Sequence, residues 1–180
     1  IAGQLDLVAS TTQEAAKDLR ASIYSLSSKR QGEEVFVPAV RGYLEELSEL
    51  NGVEVDFHAS GSEEVLSAAL RRGFFRIIRE AVGNAVRHGE APAVVVNMQL
   101  SPSRSSLIIQ DNGRGFDVQH TANGNGGLGL RNMSQLMESF GGECIVESEP
   151  DRGTTVACYV PARTEHELGE EASSYAYRGN

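Results

Sequence analysis

The stretch GFFRIIREAVGNAVRHG, residues 73–89, constrains the fold of this 180-residue chain more than any other part. Phe74, Ile78, Ala81, Val82 and Ala85 recur mostly at steps of three and four, which predicts a helix with one apolar side. A side of that width has to be covered by a second layer. Glu80, Asn84 and His88 follow one another at i, i+4 and i+8. Four residues carry a helix through one turn plus about 40°, so the three share a side. Asn84 falls at the rim of the apolar arc and Glu80 outside it. A carboxylate one turn from a carboxamide has the oxygen donors to hold a hard metal ion with its waters. An amphipathic helix with ordinary polar edge residues shows the same pattern, and the helix alone favours that plainer reading.

The flanking sequence supplies the layers. Leu5, Val8, Ala9, Thr12, Ala15, Ala16, Leu19, Ile23 and Leu26 form a stripe about six turns long, the signature of one half of a helical hairpin or coiled coil. Ser27, Ser28 and Gly32 mark its end. Residues 37–50 repeat the helical pattern through Val40, Leu44 and Leu47, stopped by Asn51 and Gly52. Val53, Val55 and Phe57 then alternate with polar residues, as in a half-buried strand, which puts His58 on the solvated side. Ser62 with Glu63 and Glu64 reads as a helix start leading into the opening stretch, with a break at Arg72–Gly73. Residues 94–100 and 106–110 read as a strand hairpin, 128–140 as a helix, and 143–148 with 154–161 as a last strand pair. From Arg163 the composition turns polar and acidic without periodicity, as in a disordered tail. Strands that come in adjacent pairs among helices predict an α+β fold. It would be a two-layer α/β sandwich on one mixed sheet rather than a doubly wound parallel one.

Composition narrows the function. A formal net charge of -9 argues against a general nucleic-acid binder, which presents a basic face, though backbone N–H groups and a cation can still hold one nucleotide. No apolar run in this sequence reaches membrane-helix length, and none of its residues is expected to form a signal peptide. Cys144 and Cys158 are the only cysteines, with no metal-type spacing. They read as two buried thiols in a reducing compartment or as a disulfide between neighbouring strands. The chain opens at Ile1 rather than Met, so a piece of a longer protein is expected.

Three glycine-bearing stretches carry the chemistry. In DNGRGF, residues 111–116, Asn112–Gly113 is a hairpin signal, but no strand follows it. Gly115 suggests a backbone passing close to something, and Asp111 at a strand end is placed to accept from an exocyclic amine such as that of adenine. GNGGLGL, residues 124–130, satisfies G-x-G-x-x-G, yet a polar loop precedes it and an antiparallel pair follows its helix, so it is not a dinucleotide fingerprint. A loop entering a helix N-terminus at Gly127, Leu128 and Gly129 remains a good phosphate seat. Gly153 and Thr154 read as a turn and a strand start.

In order, REAVGNAVRHG, DNGRGF, GGLGLRNM and RGTTV resemble the N, G1, G2 and G-Thr boxes of the ATP-binding domain of sensor histidine kinases, within the gyrase/Hsp90/histidine kinase/MutL superfamily and its Bergerat-type fold. The match covers residues 35–161, and the likeness is strongest to the subfamily paired with NarL-type response regulators, such as DesK and the nitrate sensors. Residues 1–30 resemble the second helix of that subfamily's dimerisation hairpin. The resemblance implies that Asn84 coordinates Mg²⁺ on the phosphates of ATP, that Glu80 holds a metal-bound water or polarises the reacting region, and that Arg87 and His88 lie near the phosphates. Asp111 would take the adenine amino group, Gly113, Gly115 and Phe116 would line the base and ribose, Gly127, Leu128 and Gly129 the phosphates, and Thr154 would reach adenine through a water. Residues 116–127 would form a short lid.

The departures are Arg79 where the subfamily often has Gln, Gly83 where it has a hydroxyl residue, and Ser134 and Leu136 where it has basic residues. The phosphoacceptor histidine belongs on a first hairpin helix that this sequence lacks, and His58, His88, His120 and His166 stand in the wrong context to replace it. The expectation is therefore a three-part chain: 1–30 from a dimerisation hairpin, 35–162 for ATP binding, 163–180 as tail. It would act in the cytoplasm, as a homodimer in the full kinase, with a NarL-type regulator as partner, no direct nucleic-acid contact, and a membrane only through segments not in this sequence. The rivals are a serine kinase or ATPase of the same superfamily, and an inactive dimerisation or docking module.

Overall fold

The computed structural model describes residues 36–118 and 128–161. The expected N-terminal helix, most of the lid with Gly127, and the acidic tail lie outside the described residues. The described elements are α1 (Phe36–Asn51), β1 (Glu54–Gly61), a 3₁₀ turn (Glu63–Val65), α2 (Ala68–Arg87), β2 (Ala93–Leu100), β3 (Arg104–Asp111), α3 (Leu128–Glu138), β4 (Glu143–Ser148) and β5 (Thr154–Pro161). The strands form one sheet in the order β1-β2-β3-β5-β4. β1 and β2 run parallel, joined by the α2 crossover, and the remaining neighbours are antiparallel. This is the mixed sheet expected of an α+β sandwich.

Alternation decides which face is covered. Val94, Val96 and Met98 of β2, Leu107 and Ile109 of β3, and Val156, Cys158 and Val160 of β5 point into one core with the buried sides of α1 and α2 and with Met133 and Met137 of α3. Period two on the strands and period 3.6 on the helices make a single apolar layer between them. The opposite sheet face keeps half-exposed residues such as Val95, Ile108 and Tyr159. Arg104 lies over the Tyr159 ring, its guanidinium carbon 4.2 Å from the centroid. Among the described residues, no helix is long and apolar enough to cross a membrane.

Two boundaries differ from the sequence reading. Ser62 caps only the 3₁₀ turn, accepting the Glu64 N–H at 3.3 Å. The long helix begins five residues later, where the Ser67 hydroxyl accepts the Leu70 N–H, and it runs through Arg72 and Gly73 without a break. Gly73 serves packing there, because a Cβ would press on the Phe140 ring at 2.9 Å. β3 starts two residues early, since the Ser101 hydroxyl closes the turn on both backbone groups of Arg104 and frees Arg104 and Ser105 to pair with Pro161 and Val160.

Glu63, read from sequence as a first-turn acid, does something else. Its carboxylate is buried and accepts the N–H groups of Phe36 at 2.8 Å and Val37 at 2.7 Å, at the N-terminus of α1. Arg71 on α2 lies 3.5 Å from it and also donates to the Glu63 carbonyl at 2.8 Å. One side chain thus ties the entry of α1 to the start of α2. Cys144 and Cys158 are both thiols, facing each other across β4 and β5 with sulfurs 3.2 Å apart. Of the two sequence readings, free thiols rather than a disulfide are found, with Cys158 buried and Cys144 half-buried.

Candidate functional site

α2, the ends of β3 and β5, and the first turns of α3 enclose a cavity of about 420 Å³. Glu80, Asn84 and His88 line it from α2, Asp111 from β3, Thr154 from β5, Gly115 and Phe116 from the loop after β3, and Gly129 from α3. The walls between them are apolar: Ala81, Ala85, Ile109, Leu130, Met133 and Val156. Apolar walls with a few placed polar groups suit an aromatic base bearing a charged tail.

The Asp111 side of the cavity is built on the ladder. Asp111 and Thr154 are direct partners across β3 and β5, so their backbones are set by sheet register. Asp111 Oδ1 accepts the Gly113 N–H at 2.8 Å, which orients the carboxylate and leaves Oδ2 for a donor in the cavity. The loop after it is fastened on both sides. Asn112 exchanges hydrogen bonds with Ala93, Arg114 donates its N–H to the Gly89 carbonyl and pairs with Glu90, and Asp151 donates to the Arg114 carbonyl. These ties, not a hairpin, account for the Asn-Gly pair. Gly115 adopts φ +57 and lies against the carbonyls of Glu149 and Gly153, where a Cβ cannot fit.

Ser148, which the sequence reading passed over, holds this wall together. Its hydroxyl accepts the Phe116 N–H at 2.9 Å, donates to the Gly153 carbonyl at 2.8 Å, and lies 3.1 Å from Thr154 Oγ1. With its one hydrogen spent on Gly153, Ser148 must accept from Thr154, which leaves the Thr154 oxygen as an acceptor. Nothing in a strand-end serine signals this, because the partner loop is 32 residues away.

At the other end Asn84 Nδ2 donates to Glu80 Oε1 at 3.2 Å, so the Asn84 carbonyl oxygen is left to accept or coordinate. Gly129, in the first turn of α3, approaches so closely that a Cβ would collide with Glu80 Oε1. A helix N-terminus, with its free N–H groups, therefore abuts the carboxylate–carboxamide pair.

The family model described as histidine kinase-, DNA gyrase B-, and HSP90-like ATPase matches residues 69–164, more than half of the chain. The chain belongs to this family. Signal transduction histidine-protein kinase/phosphatase DegS of Brevibacillus brevis is 28% identical over 148 residues, covering 82% of this chain and 38% of that protein. Sensor histidine kinase LnrJ of Bacillus subtilis is 30% identical over 144 residues, covering 80% of this chain and 34% of its own length. The chain thus spans about a third of the length of these curated relatives. In fold it is similar to the histidine kinase domain of the Erythrobacter litoralis EL346 blue-light activated kinase, with a TM-score of 0.56 at 20% identity, covering 72% of this chain and 63% of that one. The cavity lies within the histidine-kinase-type ATP-binding domain that these matches define.

Within this ATPase-type domain the boxes read from sequence divide unevenly. Glu80, Asn84, His88, Asp111, Gly115, Phe116, Gly129 and Thr154 meet around one cavity. Gly113 is buried beside it, against the Gly89 carbonyl. Leu128 opens α3. Arg87 lies elsewhere: it lines a separate groove of about 480 Å³ between α1 and α2, with its guanidinium over Gly83, where a Cβ would meet it at 2.8 Å. Glu80 also lines this groove and a smaller one of about 250 Å³ between α2 and α3, so three concavities converge on its carboxylate.

The described donor set suits a hard, oxygen-seeking metal. Among the described residues, no three His, Cys, Asp or Glu side chains cluster as a metal site. A soft or tetrahedral ion finds no cage here. Mg²⁺, which keeps several waters and shares its coordination with phosphates, asks only for the one or two oxygens that Asn84 and Glu80 offer.

Proposed function

We propose that this chain is the ATP-binding part of a two-component sensor histidine kinase, delivering the γ-phosphate to a histidine outside this sequence for relay to a NarL-type response regulator. The observation that carries the reading is one cavity with an amine-accepting carboxylate, Asp111, at one end and the Glu80–Asn84 pair beside a helix N-terminus at the other. Asp111 accepts from the base, Thr154 reaches it through a water, and Ile109, Met133 and Val156 line the rest of it. Asn84, oriented by Glu80, would hold Mg²⁺, which when bound neutralises phosphate charge. The free N–H groups of the first turn of α3 receive phosphate oxygens. Glu80 faces the open grooves, where an incoming imidazole can hand its ring proton to the carboxylate as its other nitrogen attacks. Most of the rate then comes from positioning and charge, as in other phosphoryl transfers.

The serine-kinase or ATPase alternative keeps the site and changes the acceptor. The short stretch between Phe116 and Leu128 and the N-terminal apolar stripe favour the histidine kinase. Calorimetry with ADP tests the reading: Asp111→Ala abolishes binding, whereas Asn84→Ala removes mainly its Mg²⁺-dependent part. Equal ADP affinity with and without Mg²⁺ in the native chain would sink the role of Asn84. The chain alone takes up no label from γ-labelled ATP. A longer chain that includes the missing helix gives an acid-labile phosphoprotein and passes the phosphoryl group to a NarL-type receiver domain. An acid-stable product would favour a serine acceptor.

A further inference from the structure

Outside the nucleotide cavity the molecule holds one pair of nucleophiles that the proposed reaction does not use. Cys144 and Cys158 are direct partners in the β4–β5 ladder, with sulfurs 3.2 Å apart and the Cys158 thiol donating to Cys144. Their exposure is unequal: Cys144 sits half-buried on the sheet's edge strand, and Cys158 is fully buried on β5. Opposed residues in an antiparallel ladder have Cβ atoms about 4.5–5.5 Å apart. A disulfide wants about 3.5–4.5 Å, so a small closure of this hairpin suffices.

We propose that Cys144 and Cys158 are a reversible oxidation site that hydrogen peroxide converts to an intrachain disulfide. The Cys144 thiolate attacks one peroxide oxygen, the O–O bond breaks, hydroxide leaves, and a sulfenic acid remains. The Cys158 sulfur then attacks the Cys144 sulfur, the S–O bond breaks, and water leaves with the thiol proton. Two thiols and one peroxide give one disulfide and two waters, and a dithiol reductant reverses the change. The order of attack follows from the geometry: the edge-strand cysteine is the less buried one, and the neighbouring thiol donates to it. That hydrogen bond holds Cys144 below the usual thiol range despite its burial, and the same bond, with burial, pushes Cys158 up.

The cross-link would lie on the ladder that also carries the Ser148–Thr154 pair. It would lock the β4–β5 hairpin, whose turn braces the loop at Gly115 and Phe116. The oxidised chain should therefore keep its fold and show slower amide exchange along β4.

The test treats the full chain with hydrogen peroxide, blocks thiols with N-ethylmaleimide and measures intact mass. The expected product has lost about 2 Da, carries no maleimide, and regains two reactive thiols with dithiothreitol. Trypsin should release peptides 132–152 and 153–163 joined through sulfur. In Cys158→Ser, dimedone should label Cys144; in Cys144→Ser, Cys158 should stay unlabelled. Should a serine variant fail to fold, the joined peptides from the native chain decide the matter alone. Two maleimides after peroxide, sulfinic acid at Cys144 beside an unchanged Cys158 thiol, or cross-links only between chains would each overturn the proposal. None of these readouts depends on nucleotide binding.

Discussion

Replacing Glu63 by alanine should cost the domain far more than a surface glutamate would. The side chain is 1% exposed and accepts the first two N–H groups of α1, while Arg71, 17% exposed, faces it from α2. Truncation orphans two helix-terminal donors, worth about 0.5–2 kcal/mol as a lost cap. It also strands the Arg71 guanidinium, whose Nε already lacks a partner, and removing one member of a buried pair costs about 3–5 kcal/mol. The two losses share the same carboxylate and do not add, so we expect about 3–5 kcal/mol in total. Against a native stability of about 5–15 kcal/mol, that is a large fraction. It corresponds to a fall in Tm of about 6–20 °C for a chain of this size. Urea unfolding followed by far-ultraviolet circular dichroism measures it, provided the m-value is unchanged. Glu63→Ala/Arg71→Met should recover part of the loss, because the stranded charge is gone. A single-mutant loss under about 1 kcal/mol, or strictly additive effects in the double mutant, would refute the argument that this carboxylate is a buried tertiary cap.

Three further substitutions probe the wall of the cavity and the hairpin beside it. Gly115→Ala forces a Cβ into a left-handed conformation, worth about 1–2 kcal/mol, against two carbonyls, and should weaken ADP binding at least about tenfold by calorimetry. Ser148→Ala leaves the Phe116 N–H without its acceptor and frees Thr154 to rotate; a stability loss of about 1–3 kcal/mol and a weaker ADP affinity should appear together in urea unfolding and calorimetry. Cys158→Ala removes the donor that favours the Cys144 thiolate, so the pH profile of Cys144 alkylation by iodoacetamide should move to higher pH. An unmoved profile would mean that the hydrogen bond does not set the thiol's acidity.

Local periodicities made much of this fold legible. The apolar arc of Phe74, Ile78, Ala81, Val82 and Ala85 and the alternation of Val53, Val55 and Phe57 with polar residues depend only on near neighbours in the chain, and they gave the right elements. The cavity was legible for the same reason, since Glu80, Asn84 and His88 share one helix side and Asp111 ends a strand. What stayed hidden depends on partners far along the chain. Glu63 caps a helix that begins 27 residues earlier, and Ser148 anchors a loop 32 residues before it. Arg87 follows the helix spacing toward the Glu80–Asn84 side of the cavity, but a long flexible side chain at a helix terminus goes where a surface receives it, here across Gly83. The expected break at Gly73 failed because glycine signals space as well as flexibility, and the Phe140 ring fills that space.

The pairing of Asp111 with Thr154 joins two hairpins that are separate in sequence, β2–β3 and β4–β5. Neither hairpin alone holds both residues of this pair, and the cavity also takes a wall from α2. The unfolded chain therefore has no partial site, and on the proposed reading nucleotide affinity belongs wholly to the folded state. By mass action such a ligand adds about 2.7 kcal/mol of stability at a hundred times its dissociation constant. In a cell with abundant ATP, the nucleotide would act as a folding ligand as well as a phosphoryl donor, and variants of marginal stability would survive or perish with the energy charge around them.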